Sequence, residues 1–324
     1  MSIQTHIDLP THPSRKVPRI GLGVMPLSIA GRPDRASALA VIRHAVEEGV
    51  RVIDTADAYA LDDSETGYGE RLVADALREM GMSVDGDVDG DADDGTPLVA
   101  TKGGMRRPDG RWARAGHPEQ LREACHASLR ALDAEAIPLY QLHNSDPDVP
   151  FEDSVSALAR LREEGKIRLI GISNVSVEQI RRARVVTSIA SVQNAMRVWD
   201  PGYRKSPVVT ECEDNGLVLL AHSPFGGSER APRLGEHDRL SDVARSLDLT
   251  PHEAALHWLL TTSPCVVPIP GTTRPERIES WLRALNADVG SADRRRVVRA
   301  LRSLPGHRGP VRRVLGGIKR LLGM

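Results

Sequence analysis

The chain has 324 residues, enough for one large α/β domain or two smaller ones. Its net charge of −1 gives no electrostatic case for nucleic acid or an anionic membrane as a main partner. Cys125, Cys212 and Cys265 are isolated, without a CxxC pair, a metal-like spacing or a disulfide framework. The N-terminal stretch lacks the apolar core of a signal peptide and no apolar run could span a bilayer, so a reducing cytoplasm is the expected home.

Residues 1–18 are polar and proline-bearing, and read as a frayed tail or as a short hairpin. RIGLGVMPLS (19–28) reads as a first strand, with Gly21 and Gly23 allowing close backbone approach. Asp34 or Ser37 then caps a helix whose apolar stripe is Ala38, Val41, Ile42, Ala45 and Val46, ended by Gly49. The next stretch, VRVIDTADAY (50–59), is an apolar run that ends in Asp54, Thr55, Asp57 and Tyr59. Its β-branched residues and abrupt polar end favour a buried strand delivering side chains to a site.

A helix is expected over 64–80. The acidic segment 84–95 opens like a calcium loop, with Asp85, Asp87, Asp89 and Gly90, but Thr96 stands where the closing glutamate belongs. It reads as a solvated linker inserted between helix and strand, and no metal is assigned. PLVATKGG (97–104) ends a strand in Lys102, and the loop beyond it carries Arg106, Arg107 and Trp112. Strand 137–142 leads to His143, strand 167–172 to Ser173 and Asn174, and strand 189–193 to Gln193. Strand 217–221 runs into HSPFGGSER, and strand 266–269 precedes Gly271, Thr272 and Thr273. Helices are expected between them over 118–132, 151–164, 177–184 and 203–215. Two more, over 240–247 and 251–261, fill the last connection, and another follows over 275–285.

Strands alternating with helices at this spacing imply a parallel sheet with right-handed crossovers. Eight such units fit a single-domain (β/α)8 TIM barrel. The third glycine of a GxGxxG turn is missing after Gly21 and Gly23, which argues against an open doubly wound sheet. In a barrel, sites lie at the C-terminal strand ends, where the polar bursts cluster. The barrel is expected over residues 1–304, with extra helices near its C-terminus. Residues 305–324 read as a basic tail whose spacing suggests a short amphipathic helix. Gly316 and Gly317 weaken that helix, so packing on the barrel or a partner is preferred to a membrane surface.

Seven of these stretches together resemble the aldo-keto reductases: IDTADAY (53–59), TKGG (101–104), YQLHN (140–144), GKIRLIGISN (165–174), SVQN (191–194), SPFGGS (223–228) and IPGTTRPERI (269–278). The resemblance covers residues 19–284 and implies a barrel that binds a nicotinamide cofactor without a Rossmann domain. It makes Tyr59 the proton donor, with Asp54, Lys102 and His143 around it. A free tyrosine has a pKa of about 10. A nearby ammonium favours the phenolate, and an Asp carboxylate would hold that ammonium charged. Ser173, Asn174 and Gln193 match the positions that hold the nicotinamide carboxamide. His222 stands where the family commonly has a stacking aromatic.

Ser223, Gly226 and Ser228 belong to a loop suited to a pyrophosphate. Gly271, Thr272, Thr273 and Arg277, with Arg274, match the adenosine 2′-phosphate site, which favours NADPH over a possible NADH. Glu279, Ser280 and Trp281 depart from the usual adenine contacts. Met25, Trp112 and Trp199, with Phe225, are candidates for the substrate pocket. The expected activity is NADPH-dependent reduction of a small-molecule carbonyl substrate. The rival expectations are a non-catalytic cofactor-binding sensor or partner subunit, and a phosphate-binding lyase or isomerase barrel. Oligomeric state is left open.

Overall fold

In this computed structural model, residues 4–9, 12–85, 95–200 and 206–305 are described. Most of the acidic insertion (86–94), residues 201–205 and the basic tail beyond residue 305 lie outside them, as does the reading given to each. The chain opens with an antiparallel hairpin, β1 (His6–Leu9) and β2 (His12–Pro18). Eight parallel strands then follow in one sheet: β3 (Leu22–Gly23), β4 (Val52–Asp54), β5 (Leu98–Gly103), β8 (Ile137–Leu142), β9 (Ile167–Ser173), β10 (Ser191–Ala195), β11 (Val218–His222) and β12 (Val266–Ile269). A small hairpin, β6 (Met105–Arg106) and β7 (Ala113–Arg114), interrupts the series after β5.

The sheet is the expected barrel. Gly21 N donates to the Pro268 carbonyl and Gly23 N to the Pro270 carbonyl, both at 2.9 Å, so the first strand region meets the last. This seam needs its glycines. A Cβ on Gly21 would lie 2.9 Å from both the Ile269 side chain and the Val52 carbonyl, and one on Gly23 would lie 3.0 Å from the Ile269 carbonyl. The regular strand is shorter than the sequence suggests. After Gly23 the chain turns into a 3-10 turn, Met25–Leu27, where Pro26 has no N–H to give a ladder.

Alternation along the strands builds two layers. One set of positions, including Val52, Leu98, Ala100, Leu139, Leu169, Val218, Leu220 and Val267, fills the barrel interior, with Ile7 of the β1–β2 hairpin packed against it. The other set, including Ile53, Val99, Tyr140, Ile170, Val192 and Leu219, packs outward on the helices. Burying each such aliphatic side chain is worth roughly 1.5–3 kcal/mol.

The helices are α1 (Arg35–Glu47), α2 (Tyr68–Glu79), α3 (Pro118–Leu132), α4 (Phe151–Glu163), α5 (Val177–Val186), α6 (Pro207–Asp214), α7 (Asp238–Arg245), α8 (Pro251–Leu260), α9 (Glu276–Asn286) and α10 (Ser291–Arg302). Asp34 caps α1 by accepting from Ser37 N, and the expected apolar stripe is buried. The helix expected from residue 64 instead starts at Tyr68, because Gly67 takes a positive φ of 81° after a 3-10 turn over Asp63–Glu65. Among the described residues no helix is long and apolar enough to cross a membrane.

The buried guanidinium of Arg19 donates to the carbonyls of Leu260, Ser263 and Val266, and it faces no carboxylate among its partners. Burial lowers its pKa to about 10. It ties the start of the barrel to its last strand.

Candidate active site

The inward positions of the strands continue past the apolar layer as polar residues. Asp54 follows Val52, Lys102 follows Leu98 and Ala100, and Gln141 and His143 follow Leu139. Ser173 on β9 is in register with Gln193 on β10, and His222 follows Leu220 on β11. On β4, β5, β8 and β11 a period of two thus runs from a dry core to a polar mouth.

Asp54 and Lys102 are buried and paired at 2.8 Å. The Lys102 ammonium also donates to the Thr55 carbonyl at 2.7 Å and to the Tyr59 hydroxyl at 3.2 Å. Its three protons therefore have three acceptors. The other Asp54 oxygen accepts from Gln193 Nε2 at 2.6 Å and from Gln141 Nε2 at 3.4 Å. Burial alone would lower the Lys102 pKa, but Asp54 and Tyr59 outweigh it and the net shift is upward. Ion pairs this deep persist only when their remaining hydrogen-bonding capacity is met, and this one meets it.

Tyr59 behaves differently from the expectation of a phenol made more acidic by Lys102. Burial pushes its pKa up, Lys102 pulls it down, Asp54 pushes it up again, and the balance is a rise. The phenol stays protonated. Because its oxygen accepts from Lys102, its own proton is free for another acceptor.

His143 stands beside it, ring centroids 5.9 Å apart, with Trp112 edge-on to both at 6.4 Å from Tyr59 and 5.8 Å from His143. Burial, then Lys102, His222 and Arg114, hold the imidazole pKa well below its usual 6.5, so it is neutral. Its buried Nδ1 has no hydrogen-bond partner among the described residues. An unpaired lone pair costs less there than an unpaired N–H, so we assign the proton to Nε2.

These groups open on a cleft of about 410 Å³ lined by Met25, Tyr59, Trp112, His143, Ser173, Asn174, Gln193, His222 and Ser223, together with Met105, Arg114 and Asn144. Asn174 sits at φ 58°. Its Nδ2 donates to the His143 carbonyl (3.0 Å) and to Ser173 Oγ (3.1 Å). His222 lies 3.3 Å from Asn174 Oδ1 and 3.1 Å from Ser223 Oγ. Burial, with Lys102 and Arg197, lowers its pKa to about 4.

The remaining expected binding residues do not line this cleft. Gly226 and Ser228 lie on the loop after β11, where Gly226 and Gly227 both take φ 84°. Gly271, Thr272, Thr273 and Arg277 follow β12, the strand paired with β11. Thr272 is buried and turns the chain by accepting from Arg274 N at 3.0 Å. Arg274 and Arg277 are exposed, and neither forms an ion pair among the described residues.

Trp199, expected in the substrate pocket, is instead buried beneath the β11 loop. Its Nε1 donates to the Phe225 carbonyl at 2.8 Å, and a Cβ on Gly226 would lie 2.9 Å from its ring. Trp281 is a core residue of α9, and Glu279 meets His44 of α1 at 3.0 Å.

Sequence reading missed Gln141, which needed only the count of two back from His143. It also missed Glu70, buried behind β5, where it accepts from Thr101 Oγ1 at 2.6 Å. Burial raises its pKa to about 7.

The fold and this strand-end cluster define a barrel oxidoreductase, and comparison with known proteins agrees. The aldo/keto reductase family matches residues 19–301. An uncharacterised oxidoreductase of Schizosaccharomyces pombe is 31% identical over 282 residues, covering 85% of this chain and 84% of its own. A probable aldo-keto reductase of Glycine max is 29% identical over 317 residues, covering 88% and 86%. Among solved structures, the glycerol dehydrogenase of Gluconobacter oxydans superposes with a TM-score of 0.76 at 23% identity, covering 94% of this chain and 98% of its own. An aldo-keto reductase from Klebsiella pneumoniae in complex with NADPH gives 0.73 at 24%, covering 94% and 97%. The chain belongs to the aldo/keto reductase family, whose members are NAD(P)H-dependent oxidoreductases.

Proposed function

We propose that this protein reduces an aldehyde or ketone to an alcohol with NADPH, and that Tyr59 supplies the proton. The carrying observation is the Lys102 ammonium donating to the Tyr59 oxygen at 3.2 Å at the wall of the cleft. That contact commits the phenolic oxygen as an acceptor and leaves its proton for the substrate.

The residues present fit a nicotinamide cofactor. Ser173, Asn174 and Gln193 bring a hydroxyl and two amides to one cleft, the donor and acceptor set that a carboxamide needs. Arg274 and Arg277, exposed after β12, suit a 2′-phosphate and support NADPH over NADH. When bound, the cofactor supplies the hydride.

The chain's own groups do the rest. Neutral His143 donates from Nε2 to the carbonyl oxygen and polarises it. Tyr59 hands its proton to that oxygen as negative charge builds, and Lys102 stabilises the phenolate left behind. Asp54, held by Gln193, keeps the ammonium charged and in place.

The test is NADPH absorbance with a panel of aldehydes, beside cofactor binding followed by fluorescence. The expected result is decay with at least some carbonyls. Tight binding without decay for any of them would instead support a sensor. No effect of NADPH on either binding or thermal stability would remove the redox reading altogether.

A further inference from the structure

The strand that carries Lys102 continues through Gly104, at φ 98°, into the β6–β7 hairpin. This hairpin is the wall of the cleft that proton transfer does not use. Its register sets Met105 directly opposite Arg114, and both line the cleft beside Trp112.

The arginines of this hairpin are unequal. Arg106 pairs with Asp63 at 2.9 Å, Arg111 lies 3.9 Å from Asp109, and the buried Arg107 places its guanidinium 4.4 Å over the Trp112 ring. Arg114 has no carboxylate among the described residues. Its hydrogen bond is from Nη1 to the Met105 thioether at 3.4 Å, a weak acceptor that is easily given up. Among the described residues, the lining of the cleft contains no Asp or Glu.

We propose that Arg114 receives a carboxylate carried by the substrate, so that the preferred substrates are aldehyde or keto acids whose acid group stands apart from the reacting carbonyl. This rests on the carbonyl-reductase reading above and names the substrate class for it. A guanidinium fork matches a carboxylate with two parallel hydrogen bonds. The exchange replaces a thioether contact with a charge-assisted pair, while Trp112 offers apolar surface to the carbon frame between the two ends.

The probes are para-carboxybenzaldehyde and its methyl ester, which share ring and carbonyl and differ in one charge. With saturating NADPH, the wild-type protein should prefer the acid in kcat/KM, mostly through KM, and lose that preference as salt rises. Arg114→Gln should lower kcat/KM for the acid roughly ten- to hundredfold and leave the ester within about twofold. Arg114→Lys should keep part of the preference, since an ammonium retains the charge without the fork. The KM for NADPH should not change in either variant. Equal use of acid and ester by the wild type, or an equal drop for both in Arg114→Gln, overturns the inference while leaving carbonyl reduction intact. Turnover of neither probe overturns the substrate class, while carbonyl reduction itself stands or falls with the aldehyde panel.

Discussion

The ends of β4, β5 and β8 and the ends of β9 to β12 form two halves of one barrel mouth, and they are built differently. In the first half the charged groups are buried and already paired. Lys102 has all its acceptors, and both oxygens of Asp54 are engaged. In the second half, amides and hydroxyls line an open cleft, and the cations beyond them, Arg274 and Arg277, are exposed and unpaired among the described residues. Acid–base chemistry needs a fixed, dry geometry set before substrate arrives. Holding a large charged ligand needs groups left free to meet it.

Breaking the first half should cost stability as well as activity. Lys102→Met leaves Asp54 as an uncompensated buried charge and should lower unfolding stability in urea by about 3–5 kcal/mol. Adding Asp54→Asn should restore most of that stability and none of the activity. A single variant as stable as the wild type would mean that the pair does not hold this half together.

The buried Glu70 tests the same half through pH. Its folded pKa of about 7 lies above the ordinary 4.5, so the folded state keeps a proton that the unfolded chain loses. Stability from this group is therefore full below about pH 4.5 and falls by roughly 3 kcal/mol as pH rises through 7. Glu70→Gln should remove that slope, matching the wild type in acid and exceeding it above neutrality. Parallel stability curves would show that Glu70 is not held neutral in the folded protein.

The second half should respond in binding alone. Arg274→Ala with Arg277→Ala should weaken NADPH by about tenfold and NADH little, with kcat at saturation unchanged. Equal losses for both cofactors would remove these arginines from the 2′-phosphate. The smallest effect is expected at His222. His222→Tyr restores ring area and should tighten the cofactor by roughly two- to tenfold in a fluorescence titration. Weaker binding would show that the contacts of His222 to Asn174 and Ser223 outweigh stacking.

The two halves were also unequally legible in the sequence. Asp54, Lys102 and His143 stand where short apolar runs end abruptly in polar residues, so their gathering at one barrel mouth was legible from those run ends. The β6–β7 hairpin was not legible, because two-residue strands have no period and its turn carries Asp109 at a positive φ. Trp199 shows a different limit. An aromatic in a loop after a strand reads as pocket wall, but the space left by Gly226 draws the ring beneath the β11 loop. The direction of the Tyr59 shift could not be read either. It depends on how completely the ring is buried against one cation, and burial wins.

Tyr59→Phe tests the proposed proton donor most directly, because it deletes one hydroxyl and keeps the ring against Trp112 and His143. Single-turnover NADPH decay with a reactive aldehyde, on protein preloaded with cofactor, should slow by about 10²–10⁴-fold while cofactor affinity stays unchanged. Decay at the wild-type rate in that variant would contradict proton donation by Tyr59.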